Sequence, residues 1–231
     1  LANFINIRLS DGLCTNISKE DFNFKGAPAS LIIAYISPHL NFHECLASLK
    51  TLTGKISVIA ITSAGELFSN KQDDLLYIPS CSQPQNMVIQ IFPPDLFENF
   101  KIFSIPLHNK DIRNGSFTID AEKRRNMIAG EVEKISLDFP IDAKDTIALT
   151  WVDGLSSCES YLMESIYESE RFPCMFVGGS SGSKPDLQHS FLYDGKNVLE
   201  NHAIIVFLKL AKCRGYSVLK TQNFEEDGLK I

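Results

Sequence analysis

The chain has 231 residues, 44% of them hydrophobic and 22% charged, with a formal net charge of −6. That balance excludes disordered and fibrous classes, and its acidity argues against a nucleic-acid partner, whose footprint is basic. No apolar run reaches the ~18 residues of a membrane-spanning helix. At about 150 residues per domain, the length allows one large domain or two small ones. Six cysteines are scattered without a Cys-x-x-Cys pair, and residues 1–6 lack the basic and apolar regions of a secretory leader, which points to reduced thiols in a cytoplasmic protein. Leu1 in place of an initiating Met, and the ending Gly228, Leu229, Lys230, Ile231, lead us to expect that more of the protein follows.

In chain order, residues 31–36 form an apolar run of strand length, followed by the polar turn Ser37, Pro38, His39. Asn41 is placed to cap a helix, with Glu44 three residues on, the spacing of a capping box; Phe42, Cys45, Leu46, Leu49 and Leu52 recur at helical intervals and define one apolar face. Residues 56–61 form a second strand, ending in Ser63, Ala64, Gly65 and Glu66. Further strands are expected at 75–78 and 87–92. A helix is expected over residues 119–137, with Met127, Ile128, Val132 and Ile135 on its apolar face and Gly130 weakening it.

The second half repeats the first. The run 146–152 begins 115 positions after the run at 31, and its turn, Asp153, Gly154, Leu155, leads to a second cap candidate, Ser156 with Glu159. A strand at 172–177 then runs into Gly178, Gly179, Ser180, Ser181 and Gly182, and residues 191–193 and 202–207 stand where 75–78 and 87–92 stood. The expected fold is α/β: one duplicated domain with halves at about 28–94 and 145–222 and a connector at 95–144, each half reading strand, helix, strand, loop, strand, strand, with helices covering mixed sheets.

Small residues after a strand let the backbone approach a ligand, and their N–H groups suit anionic oxygens; tight packing is the alternative. Gly178, Ser180 and Gly182 match the Gly-x-Ser-x-Gly elbow of serine hydrolases, with His189 or His202 as base and Asp186 as orienter, but that motif needs a helix after the serine, and Pro185 opposes one. Dinucleotide and phosphate-loop fingerprints are missing. His39 and His43 have a zinc-compatible separation without supporting ligands. His39 and His202 are the candidates for axial haem ligation.

Ser37-Pro38, Ile61-Thr62-Ser63-Ala64-Gly65-Glu66, Val152-Asp153-Gly154-Leu155-Ser156, Val177-Gly178-Gly179-Ser180-Ser181-Gly182 and Tyr193-Asp194-Gly195 together resemble the N-terminal FIST sensory domain. The resemblance covers about residues 30–220, and residues 215–224 look like the lead into the C-terminal half of that family. Where members carry Gly-Cys-Thr, this chain has Ile61, Thr62 and Ser63. The resemblance implies a cytoplasmic, non-enzymatic input module of bacterial signal transduction, joined to or working beside chemotaxis receptors, histidine kinases or cyclic-dinucleotide enzymes. It also implies a small ligand such as an amino acid, with a haem-based nitric-oxide sensor as the alternative branch. On this reading Ser63, Ala64, Gly65, Glu66, Asp153, Gly178, Gly179, Ser180 and Ser181 contact the ligand. Glu66 and Asp153 receive an ammonium and the loop N–H groups a carboxylate, and no cofactor is expected.

Overall fold

The computed structural model describes residues 4–67, 77–79, 86–184 and 186–219. Its strands are β1 (Asn6–Asp11), β2 (Asn23–Phe24), β3 (Ala27–Pro28), β4 (Leu31–Ile36), β5 (Ser57–Thr62), β6 (Gly65–Leu67), β7 (Tyr77–Pro79), β8 (Asn86–Phe92), β9 (Phe97–Pro106), β10 (Thr146–Val152), β11 (Met175–Ser180), β12 (Leu192–Tyr193), β13 (Val198–Leu199) and β14 (His202–Leu210). The helices are α1 (Phe42–Thr53), α2 (Lys110–Arg113), α3 (Ala121–Glu133) and α4 (Glu159–Glu168). The fold is α/β, built on two mixed sheets: β1-β8-β4-β5-β12-β13 and β11-β10-β14-β9.

The two sheets contain the same three-strand unit. In the first, β4 runs parallel to β5 and antiparallel to β8; in the second, β10 runs parallel to β11 and antiparallel to β14. The halves also exchange strands. The β12–β13 hairpin, from late in the chain, extends the first sheet by pairing Leu192 with Ile61, while β9 leaves the first sheet's neighbourhood to flank β14 in the second.

Alternation along these strands explains their unbroken apolar character. Leu31, Ile33, Ile59 and Ile61 on one sheet and Trp151, Ile204, Val206 and Leu208 on the other share one buried core, so the sheets pack face to face. The alternate residues of the first sheet, Ile32, Ala34, Ile36, Val58 and Ala60, meet Phe42, Cys45, Leu46 and Leu49 of α1. Those of the second, Ala148, Val152, Ala203, Ile205 and Phe207, meet Ile128 and Val132 of α3 and Leu162 and Ile166 of α4. The layers are therefore helix, sheet, sheet, helices. A strand buried on both faces has no polar side to show in its sequence, and each fully buried Leu or Ile contributes about 1.5–3 kcal/mol.

Several local expectations shift. Asn41 caps α1 as expected, its side chain accepting from the N–H groups of His43 and Glu44. Ser156 does not cap α4: its hydroxyl accepts from Cys158 N–H at 3.2 Å, Asp153 closes the preceding turn, and Ser157 takes a left-handed φ of 53°, so the helix starts at Glu159. The expected helix at 119–137 spans Ala121–Glu133, because Asp120 accepts from Lys123 N–H and fixes its start. The strand expected at 172–177 forms three residues later, as β11, and takes in Gly178, Gly179 and Ser180. Leu75, Leu76 and Cys81 lie outside the described residues. Tyr77–Pro79 pairs with β6, whereas its counterpart at 192–193 joins the first sheet, so the two segments are not equivalent in pairing.

Candidate functional site

The carboxyl ends of the parallel pairs β4–β5 and β10–β11 meet at one end of the sandwich. After β11, Ser181 N–H donates to the Val152 carbonyl at 2.7 Å and Gly182 N–H to the Thr62 carbonyl at 2.7 Å, carrying the chain from one sheet to the other. Thr62 fastens the junction: its hydroxyl donates to the Gly182 carbonyl at 2.8 Å and accepts from Phe191 N–H at 2.9 Å. A Cβ on Gly182 would stand 2.2 Å from the Ser63 carbonyl carbon and 2.3 Å from Ala64 N. Only glycine lets the two small-residue segments touch backbone to backbone.

The anticipated ligand residues divide into two groups. Ser63 and Ser181 are buried; Ser63 bonds the Ile36 carbonyl, while the Ser181 hydroxyl accepts from Gly154 N–H and pairs with Ser190. Asp153 is completely buried: Oδ1 accepts from Leu155 N–H at 2.9 Å, Oδ2 from Asn201 N–H at 2.5 Å, and the Arg113 guanidinium stands 3.7 Å away. These groups hold the junction together. Gly178 lies against Thr150, whose carbonyl oxygen a Cβ would meet at 1.6 Å. The exposed members are Ala64, Gly178, Gly179 and Ser180; Gly179 has open space on its Cβ side, and the Ser180 hydroxyl donates to Glu159 Oε1 at 2.8 Å. Ala64 lies in the junction and Gly65 opens β6 with φ 140°; the side chain of Glu66 lies outside what is described.

Beside the junction is a crevice of about 240 Å³, over the ends of β4 and β5 and the start of α1. Pro38, Asn41, Phe42, His43 and Thr62 form one side; Lys184, Asp186, Gln188, His189 and Phe191 form the other. His189 stacks parallel on Phe191 at 5.4 Å between centroids, and Phe191 also meets Phe42 at 5.4 Å and His43 at 5.7 Å. A polar chain runs from this wall into the second half. His189 Nδ1 is 3.0 Å from Glu200 Oε1, Glu200 is 3.6 Å from Arg113, and Arg113 faces buried Asp153. Arg113 is further fixed by donating to the Gln188 carbonyl at 2.6 Å. In the sequence His43, His189 and Asp186 stand out only for zinc or hydrolase chemistry, and nothing marks Phe191 as a ligand wall. Phe191 stood in a strand pattern, and no local signal brings it to Phe42.

The hydrolase geometry is not formed: Ser180 closes β11 and is followed by irregular backbone at 181–184 instead of a helix, and among the described residues no histidine bonds its hydroxyl. No group of three or more His, Cys, Asp or Glu side chains suited to a metal occurs among the described residues. His39 is exposed and borders a recess of about 340 Å³ shared with Asp11, Asn41 and Glu44. Leu13, Leu40 and Cys45 add to that lining, which is part polar and part apolar. His202 opens β14 with its Nδ1 held 2.7 Å from the Glu200 carbonyl.

Comparison with known families bears on this end of the sandwich, because the junction is made from the motifs quoted above. The family model of the FIST N domain matches residues 30–230, nearly the whole chain, and the protein belongs to that family. FIST is a sensory domain family linked to signal transduction and is not an enzyme family. No curated protein matches the chain. No helix among the described residues is long and apolar enough to cross a membrane.

Proposed function

We propose that this chain is a cytoplasmic, non-enzymatic input domain of a bacterial signalling protein, and that it binds an amino-acid-like metabolite in the crevice at the end of β4 and β5. The observation that carries the reading is the position of that crevice. It lies beyond the carboxyl ends of parallel strands, where ligands of α/β sheets collect, and it abuts the Ser63–Ala64 and Gly182 junction built from the family's own motifs. Its chemistry suits a zwitterion: Lys184 for a carboxylate, Asp186 for an ammonium, and the Phe42–Phe191–His189 wall for an apolar or aromatic side chain. Asp153, fully buried and engaged by backbone N–H groups and Arg113, acts as a support for the crevice and not as an ammonium acceptor. The Asp153–Arg113–Glu200–His189 chain gives bound ligand a route to the second half. The output would be a chemotaxis-receptor signalling region or a histidine kinase, with no nucleic-acid partner and no cofactor.

A thermal-shift screen of the amino acids tests this. Ligand at one hundred times its dissociation constant adds about 2.7 kcal/mol, so a true ligand raises Tm by several degrees. Phe191→Ala and Asp186→Ala should remove the rise while leaving the ligand-free protein folded. A rise that survives both changes, or no rise with any amino acid at millimolar concentration, defeats the proposal. A stoichiometric Soret band after haem reconstitution, lost in His39→Ala or His202→Ala, would replace it with gas sensing.

A further inference from the structure

A second cleft, of about 720 Å³, opens at the opposite end of β5 from the crevice, between the end of α1, the middle of β9 and the β12–β13 turn. Its apolar floor includes Val58, Phe100, Ile102 and the ring of Tyr193, and Lys50, Lys55, Lys101 and Lys196 stand around it. Four of the chain's 22 lysine and arginine residues ring this one cleft while the chain as a whole carries −6, so the concentration of positive charge is local. Asp194 is the one carboxylate in the lining among the described residues, and it is committed. Oδ1 accepts from the N–H groups of Lys196 and Asn197 at 2.8 and 2.7 Å, and Oδ2 from the Ser104 hydroxyl at 3.1 Å. Lys101 is paired with Asp138 at 3.0 Å; the ammonium groups of Lys55 and Lys196 form no ion pair among the described residues.

Lys50 is held in place by the protein. Its ammonium donates to the Tyr193 hydroxyl at 2.9 Å and lies 5.2 Å from the centre of that ring. Tyr193 is 3% exposed and donates in turn to the Gly195 carbonyl at 2.8 Å. A buried phenol thus anchors both a cation and the turn that carries Lys196. An apolar floor under a cationic rim, in a concavity within the ~300–1,000 Å³ range of small-molecule sites, matches a ligand with a flat apolar part and several negative charges.

We propose that this cleft binds a small phosphorylated ligand of the nucleotide class, with its ring over Phe100 and Ile102 and its phosphates against Lys50, Lys55 and Lys196. The site is separate from the metabolite crevice and does not rest on that reading. Calorimetric titration of the intact chain with ATP, adenosine and pyrophosphate tests it. ATP should bind one to one, more tightly than either fragment, and more weakly as salt rises toward about 0.15 M. At about two- to threefold per lysine, the combined Lys50→Gln, Lys55→Gln, Lys196→Gln variant should bind ATP about tenfold or more weakly. These lysines are exposed, and an unchanged circular dichroism spectrum and Tm confirm folding. Phe100→Ala should weaken ATP and adenosine and spare pyrophosphate, and Phe191→Ala should leave ATP binding intact. No binding at millimolar ATP, or equal affinity in the triple variant, overturns the proposal. So does pyrophosphate binding as tightly as ATP, which marks a generic anion patch, or preference for polyglutamate, which marks a docking surface for an acidic protein segment.

Discussion

Gly182→Ala probes the junction of the two halves directly. The added methyl would lie 2.2–2.4 Å from three backbone atoms of Ser63 and Ala64. None of these is the movable end of a side chain, so the 180–182 segment must lift away. Lifting strains or breaks the Gly182 N–H bond to the Thr62 carbonyl and the Thr62 hydroxyl bond to the Gly182 carbonyl. Overpacking costs about 1–3 kcal/mol and each hydrogen bond about 1 kcal/mol, which together give about 3–5 kcal/mol. For a chain of this length each kcal/mol moves Tm by about 2–4 °C, so scanning calorimetry should find a loss of roughly 6–20 °C. Gly179→Ala is the control: no heavy atom lies within 4 Å of its added carbon, and it should stay within about 0.5 kcal/mol of the parent. A Gly182→Ala protein as stable as the Gly179→Ala protein would refute the backbone contact between the small-residue segments.

Asp153→Ala strands two backbone N–H donors and Arg113 around a fully buried position, and should cost about 3 kcal/mol in urea unfolding. Asp111 is buried against Arg124 at 2.7 Å, whose guanidinium also donates to the His108 carbonyl and holds the Asp111 carboxyl well below its ordinary value of 3.8. A depressed carboxyl pKa stabilises the fold above pH 3.8 and loses that contribution as pH falls below it. Asp111→Asn should therefore lower Tm at pH 7, and the gap from the parent should narrow below pH 4; a gap independent of pH would contradict the pairing. Burial pushes the thiols of Cys14, Cys45, Cys158 and Cys174 up to about 11, whereas Cys213 is exposed. In peptide mapping of the native protein after brief alkylation, Cys213 should be labelled ahead of those four.

Much of the frame was legible locally. Residues 31–36, 146–152 and 202–207 read as strands because a continuous apolar run of that length has few other uses, and Asn41 read as a cap because its side chain needs only the N–H groups two and three residues on. The cap expected at Ser156 failed for an equally physical reason: Asp153, tied to Asn201 across the fold, sets a turn that delays the helix. The small-residue motifs marked the right end of the strands. Their separate jobs could not be read, since Ser63, Asp153 and Ser181 differ from Gly179 and Ser180 only in what buries them.

By itself the sequence determined strands β4, β5, β8, β10 and β14, helices α1, α3 and α4 and the recurrence of one strand–helix–strand unit, because each rests on short-range periodicity, and its motif residues carried the resemblance to a sensory family; β1 and β9, the latter inside the expected connector at 95–144, were not read from it. Tertiary structure alone decided that the two sheets stack on each other, that β12 and β9 cross between halves, and that Phe42 meets Phe191 and Lys50 meets Tyr193. Both faces of an all-apolar strand look alike in sequence, so the pattern cannot say whether a helix or a second sheet covers each one. Contacts between residues this far apart in the chain form only when packing closes the intervening segments.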